Sequence, residues 1–277
     1  MSELDQPLRD LVIGNRILAH QNVVDAYGHL SIRHPSNPER FLLSRSLAPE
    51  LVTEGDIMEF TLDGKVVGDD RRPPYTERFI HGALYEARPD VHAVVHSHAE
   101  ETLAFGITNV PLQPVVHVAR MMGPHVPVWD IAESFGDNTN MLVSNAEQGR
   151  DLAARVGKGS VALMRGHGFA AVGGTIMDVV RISVYLPVNA RVLTTAMRFG
   201  SFKPLSPGEI AGQANSTRGH RRAGVPGNIG PAAQALATGW ARWGEAAGKD
   251  HDAEQAAVCL NVQARPRKAI RSLAQSL

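Results

Sequence analysis

Two imidazoles two residues apart, His96 and His98 in AVVHSHAEE, close an apolar run formed by Ala93, Val94 and Val95. Such a run reads as a buried strand, and side chains at i and i+2 of a strand share a face. The pair therefore emerges side by side where the strand ends, just before a helix-like segment near Ala99. Metals take imidazoles in that arrangement, whereas hydrophobic cores rarely do. About 70 residues on, MRGHGFA places His167 in a glycine-flanked turn after the apolar run Val161 to Met164. Upstream, Glu77 opens a helix. Three imidazoles and a carboxylate at element ends point to a metal site with open positions, and the ligand types suit Zn, Mn, Fe or Co alike. The competing readings are local ones. His96 and His98 could cap the next helix, His167 could belong to a plain tight turn, and Glu77 could simply answer the helix dipole.

The elements that position these residues follow from periodicity. Leu8, Leu11, Val12, Ile17 and Leu18 have helical spacing, so an opening helix is expected to about Asp25. Leu30 to Arg33, Phe41 to Ser44 and Ile57 to Leu62 read as strands of an antiparallel meander, with Asp63-Gly64 as a hairpin turn before Val66-Val67. Tyr75 to Arg88 reads as a helix with Thr76 as its N-cap and Phe79, Ile80, Leu84 and Tyr85 on one face. Pro89-Asp90 stops it before a strand from His92 to His96. Further helices are expected near Glu100 to Phe105, Val116 to Met122, Asn145 to Val156 and Thr175 to Phe199, the last with Pro187 as a candidate kink. Strands from Val161 to Met164 and Phe169 to Val172 flank the His167 turn.

Bulk properties bound the function class. The 277 residues are 43% hydrophobic and 20% charged, which are globular values with a sizeable core available. Formal net charge is zero, with 28 basic and 28 acidic residues, which argues against nucleic-acid binding. No apolar run approaches the roughly 18 residues of a membrane span. The polar start MSELDQPLRD is unlike a secretory signal, and a single cysteine, Cys259, fits a reducing cytoplasm.

After Gly200 the character changes. Residues 201–231 hold six glycines and four prolines around a basic patch from Arg218 to Arg222, which reads as an extended arm. Helix candidates at 232–247 and 253–276 follow, carrying Trp240, Trp243 and Cys259. From Lys203 onward there are ten basic and five acidic residues. A solvated tail is one reading. The sharper one is an arm that packs on a neighbouring subunit and lends Arg218, Arg221 and Arg222 to its site. The expected division is a metal-binding catalytic domain over 1–200 and a C-terminal arm with helices over 201–277.

The order Gly28-x-Leu30-Ser31, Glu77 opening a helix, VVHSHA and then GHG resembles the class II aldolase/adducin family over about residues 7 to 200. The resemblance implies an α/β chain with a three-layer α/β/α fold and a central, largely antiparallel sheet. It also implies a homotetramer with active sites at subunit interfaces. By matching position, His96, His98 and His167 would hold one divalent ion per subunit (Mn, Zn, Fe or Co). Glu77 would be the catalytic acid/base or an additional ligand.

Departures from the family pattern bear on the substrate. Sugar-phosphate aldolases of the family bind phosphate with an Asn, a Thr-Gly turn and a Ser-Ser pair. Here those places hold His29, Ser46-Leu47 and Tyr75-Thr76. Leu47 cannot allow the close backbone approach of a glycine, and Tyr75 would fill the phosphate space. Arg45, at a strand end nearby, offers a fork suited to a carboxylate. The string SRS-x-APELVT, Tyr75-Thr76-Glu77-Arg78 and the basic arm resemble a branch of metal-dependent decarboxylases acting on hydroxy-aromatic or hydroxypyridine dicarboxylates.

The expected function is therefore metal-dependent, non-oxidative decarboxylation of such a carboxylated small molecule. Arg45, Ser46, Tyr75 and Thr76 are the expected substrate contacts. Glu77 is the expected proton donor, helped by a raised pKa. His117, near where aldolases carry a tyrosine from the adjacent subunit, is a second catalytic candidate. The rivals are aldol cleavage or epimerisation of a sugar or hydroxy-keto acid, a non-haem iron oxygenase, and an adducin-like scaffold without catalysis.

Overall fold

The computed structural model describes residues 3–212. Helix α1 (Asp5–His20) leads into strands β1 (His29–Arg33), β2 (Arg40–Ser44) and β3 (Ile57–Thr61). Helix α2 (Arg78–Ala87), strand β4 (Ala93–Ser97) and helix α3 (Glu100–Gly106) follow. A 3₁₀ stretch His117–Met122 precedes β5 (Val128–Trp129), α4 (Ile131–Phe135) and α5 (Ala146–Val156). Strands β6 (Val161–Met164) and β7 (Gly168–Gly173) then enclose the His167 turn. Helices α6 (Ile176–Phe199) and α7 (Pro207–Ala211) complete the described residues.

The seven strands form one sheet in the order β3-β2-β1-β4-β7-β6-β5, antiparallel except for the β5–β6 pair. The largely antiparallel α/β architecture expected from the sequence is present. Alternation along the strands feeds two separate cores. Leu30, Ile32, Ala93 and Val95 pack with Leu11 and Leu18 of α1 and Val179, Leu186 and Leu193 of α6. Phe41, Leu43, Val94 and Val172 pack with Ile80, Leu84 and Tyr85 of α2 and Leu152 and Val156 of α5. Helices therefore cover both faces, giving three layers. Because β4 is covered on both sides, its first three residues, Ala93 to Val95, are continuously apolar rather than alternating. Each fully buried side chain of this kind contributes about 1.5–3 kcal/mol.

Several element ends differ from the sequence expectation. Helix α1 stops at His20 rather than near Asp25, because Asn22 adopts φ 54°, the left-handed conformation that ends helices. Helix α2 begins at Arg78, and Thr76 does not cap it; Glu77 occupies the N-cap and its side chain makes no capping bond. Strand β5, two residues long, is too short to show a period, and α4 behind it is a single short turn of five residues. Helix α6 runs on through Pro187. Within the stretch read as an extended arm, Ser206 and Glu209 form a capping box that starts α7, with Pro207 at its first position. The basic patch Arg218 to Arg222, Trp240, Trp243, Cys259 and both tail helix candidates lie outside the described residues. Among the described residues no helix is long and apolar enough to cross a membrane.

Candidate metal centre

Three element ends converge on the face of the sheet covered by α2. His96 shares the face of Val94 near the end of β4, and His98 follows just beyond it. Glu77 enters from the N-terminus of α2, and His167 from the β6–β7 turn. One donor atom from each of Glu77, His96, His98 and His167 lies within 4.8 Å of the other three. Glycine makes the approach of the turn possible. A Cβ at Gly168 would overlap the carbonyl oxygen of Ser97 and stand 3.1 Å from the His98 Cα. Gly166, at φ 64°, takes the left-handed conformation before His167.

Hydrogen bonds on the far side of two rings determine what they present. His96 Nδ1 donates to the Phe169 carbonyl at 3.1 Å, and His98 Nδ1 to Asp25 at 3.2 Å. A neutral imidazole that donates from Nδ1 has a bare lone pair on Nε2. The two Nε2 atoms are nevertheless only 3.0 Å apart. Facing lone pairs repel, and a cation between them converts that repulsion into coordination. Glu77 Oε2 lies 3.3 Å from His96 Nε2 and 3.4 Å from His167 Nε2. Donors about 2.1 Å from one ion stand roughly 3.0 Å apart at right angles and roughly 3.4 Å apart at tetrahedral ones. The donor set fits one divalent ion.

Burial alone would push the Glu77 carboxyl up, but His96 and His167 outweigh it and hold the group well below the usual carboxylate range. This is the opposite of the raised value that would help a resting proton donor, because imidazoles and not apolar walls face this carboxylate. Its Oε1 accepts the Val143 amide at 3.0 Å, which leaves Oε2 directed at the cluster. Asp25 is also held low, chiefly by its bond to His98. A carboxylate behind a ligand histidine fixes ring orientation and strengthens the ligand.

The profile of the Class II Aldolase and Adducin N-terminal domain matches residues 9–194. The chain belongs to the class II aldolase and adducin family. It is similar to decarboxylase tropJ of Talaromyces stipitatus, with 38% identity over 218 residues, 74% of this chain and 82% of the relative. It is 26% identical over 217 residues to a 3,4-dihydroxyphthalate decarboxylase of Arthrobacter keyseri, covering 73% and 83%. Among solved structures, an L-fuculose 1-phosphate aldolase from Glaciozyma antarctica superposes with a TM-score of 0.60 at 25% identity, over 74% of this chain and 78% of that one. Family and relatives together make the chain a lyase.

Within this class II aldolase-family site, the other residues singled out by sequence fare unevenly. Tyr75 is buried, with its ring 4.4 Å from that of His29 and its hydroxyl donating to the Leu47 carbonyl. Arg45 directly follows the end of β2, but its Nε is bound to Asp56 at 2.7 Å. Ser46 and Thr76 are exposed, as is His117 at the start of its 3₁₀ stretch. Among the described residues, no hydrogen bond or ion pair joins Arg45, Ser46, Thr76 or His117 to the four donors.

Three groups beside the site escape the sequence reading. Asp25 is signalled only by its turn, where Oδ1 accepts the amides of Tyr27 and Gly28 at 2.8 and 3.0 Å. His81 carries no motif, and its place beside His29 emerges only when α2 docks on β1. Val143 supplies a backbone amide, which no residue type announces.

Proposed function

We propose that this chain is a metal-dependent decarboxylase of a hydroxy-substituted aromatic or pyridine carboxylate. What carries the reading is the four-donor cluster in a chain 38% identical to a decarboxylase. The surroundings support it as well. His29 and Tyr75 fill the space beside the cluster with aromatic rings, where a sugar phosphate would need open, polar backbone. Which of Mn, Zn, Fe or Co serves in the site is part of the test.

A divalent ion held by His96, His98 and His167 would supply Lewis acidity toward an oxygen next to the departing carboxylate. Glu77, ionised at rest, first takes the proton of the substrate's ring hydroxyl on Oε2. The bond between ring carbon and carboxylate then breaks, carbon dioxide leaves, and the electron pair stays on the ring. Glu77 returns the proton to that carbon and is again a carboxylate. A solvent proton restores the ring hydroxyl of the product. His117 is exposed, so the reading gives it a role only across a subunit boundary, within a homotetramer. Arg45 would need to share its guanidinium between Asp56 and a second substrate carboxylate.

The test is reconstitution of chelator-treated protein with each ion, followed by a screen of ortho-hydroxy aromatic dicarboxylates for carbon dioxide. Release that depends on added metal is the expected result. Cleavage of a ketose or hydroxy-keto acid without any such release would replace this reading with the aldolase one.

A further inference from the structure

Behind His96 runs a buried chain of four polar side chains that the four-donor cluster does not use. His29 and Ser31 lie two apart on β1, and His81 and Tyr85 lie four apart on α2, so each pair shares one face of its element. His29 Nδ1 and His81 Nε2 are 2.6 Å apart, as are His81 Nδ1 and Ser31 Oγ, and Ser31 Oγ is 2.8 Å from the Tyr85 hydroxyl. All four residues are buried to 1% exposure or less. No carboxylate takes part in these bonds, and burial keeps both imidazoles neutral.

The direction of every bond follows from the far end. Burial pushes the Tyr85 phenol up, so it keeps its proton. Among the described residues its hydroxyl has no hydrogen-bond partner other than Ser31 Oγ, and a buried phenolic proton left without an acceptor would be costly. The phenolic proton therefore goes to Ser31 Oγ. Ser31 in turn directs its own proton to His81 Nδ1. A neutral imidazole that accepts at Nδ1 carries its proton on Nε2, so His81 donates to His29 Nδ1. By the same rule His29 carries its proton on Nε2.

That end of the chain lies at the metal centre. His29 sits directly opposite His96 in the β1–β4 register, with ring centroids 5.3 Å apart. Its Nε2 has no hydrogen-bond partner among the described residues. Nor is it among the sealed, unpartnered atoms of the described residues, which are Ser44 Oγ, His167 Nδ1 and Ser183 Oγ. An N–H donor thus remains unused at the edge of the site. A charged donor here would be repelled by a divalent ion, and a neutral one is not.

We propose that His29 presents a fixed Nε2–H donor to an anionic oxygen of the ligand at the metal centre, and that the Tyr85–Ser31–His81 chain fixes that tautomer. The proposal rests on the metal-site part of the reading above. His29 is the contact residue, and Tyr85, Ser31 and His81 are positioning residues. A ligand with an oxyanion at that place is selected, and one with its own N–H or O–H donor there is disfavoured.

The test uses zinc-loaded full-length protein with ¹⁵N-labelled histidine, and salicylate as the probe. Long-range ¹H–¹⁵N spectra should show His29 protonated on Nε2, with that proton's resonance moving when salicylate binds. Replacing the donor in His29→Phe should weaken salicylate, measured by calorimetry, by about tenfold or more. Tyr85→Phe should leave the zinc content unchanged, bring a second His29 tautomer into the spectrum and weaken salicylate by a smaller factor. A His29 protonated on Nδ1 in the wild type would overturn the proposal, and so would salicylate affinity unchanged in both variants. Should either variant fail to fold, the wild-type spectrum with and without salicylate decides, and a stationary Nε2–H resonance overturns it. None of these readouts needs turnover. A protein that releases no carbon dioxide therefore sinks the decarboxylase reading without touching this result.

Discussion

Asp25 accepts the Nδ1–H of His98 between its two carboxylate oxygens, at 3.2 and 3.3 Å, while its Oδ1 also holds the turn that leads into β1. One side chain thereby ties the path of the backbone to the orientation of a candidate metal ligand. Asp25→Ala should lower zinc affinity by about 10- to 100-fold in a competition titration with a chromogenic chelator. Asp25→Asn, which keeps the acceptor and loses the charge, should fall between. Equal affinity in all three proteins would show that His98 needs no carboxylate behind it.

Gly168 is the tightest point of the centre, since any side chain there meets the Ser97 carbonyl. Gly168→Ala should move β4 and β7 apart and cost at least about 2 kcal/mol of stability. Urea unfolding reads the loss as a lowered midpoint, and zinc stoichiometry should drop below one per chain. A variant with wild-type midpoint and full zinc would mean that the turn accommodates the methyl by shifting.

His81 makes stability depend on pH. Burial, then the neighbouring His96, holds it down to about 3 in the folded chain, against 6.5 for the free side chain. Between these values the unfolded chain binds a proton that the folded chain refuses, so stability falls as pH falls below about 6.5. The loss approaches roughly 1.4 kcal/mol per pH unit for each such histidine. In chelator-treated protein, His81→Gln should flatten the decline in unfolding free energy between pH 6.5 and 4.5 relative to wild type. Parallel curves would assign the pH dependence to other groups.

Glu77→Gln keeps the Val143 contact and removes the charge that faces His96 and His167. Three imidazoles should still retain the ion, with reduced affinity. Carbon dioxide release should drop by about 10²- to 10⁴-fold, the usual worth of a positioned proton carrier. Undiminished release would remove Glu77 from proton transfer, and loss of the ion would make it chiefly a ligand.

Much of this centre is legible in the sequence because its donors sit at element ends that announce themselves. The run Ala93-Val94-Val95 declares a buried strand, and the i, i+2 spacing then places His96 and His98 on one face. Glycines around His167 declare a tight turn in the same way. Less legible are contacts made across the fold. Asp25 reads as the end of an opening helix until Asn22 ends that helix early and turns the chain under His98. His81 lies on the buried face of α2 among Ile80, Leu84 and Tyr85, and only docking on β1 shows that it meets His29 and Ser31. Arg45 has the right chemistry for a carboxylate, but its ion pair with Asp56, eleven residues on, has no pattern in the sequence. The sign of the Glu77 shift depends on what surrounds the carboxylate, which residue spacing does not reveal.

The central claim meets its most direct test in the fate of one carbon atom. Metal-reconstituted protein is incubated under nitrogen in deuterium oxide with ortho-hydroxy aromatic dicarboxylates, and carbon dioxide and ring deuterium are measured together. The account predicts one carbon dioxide released per product and one deuterium on the ring carbon that lost it, with both abolished by His98→Ala or by a chelator. Equal release without added metal, or no release from any of these substrates alongside cleavage of a carbon–carbon bond in a hydroxy-keto compound, would contradict it.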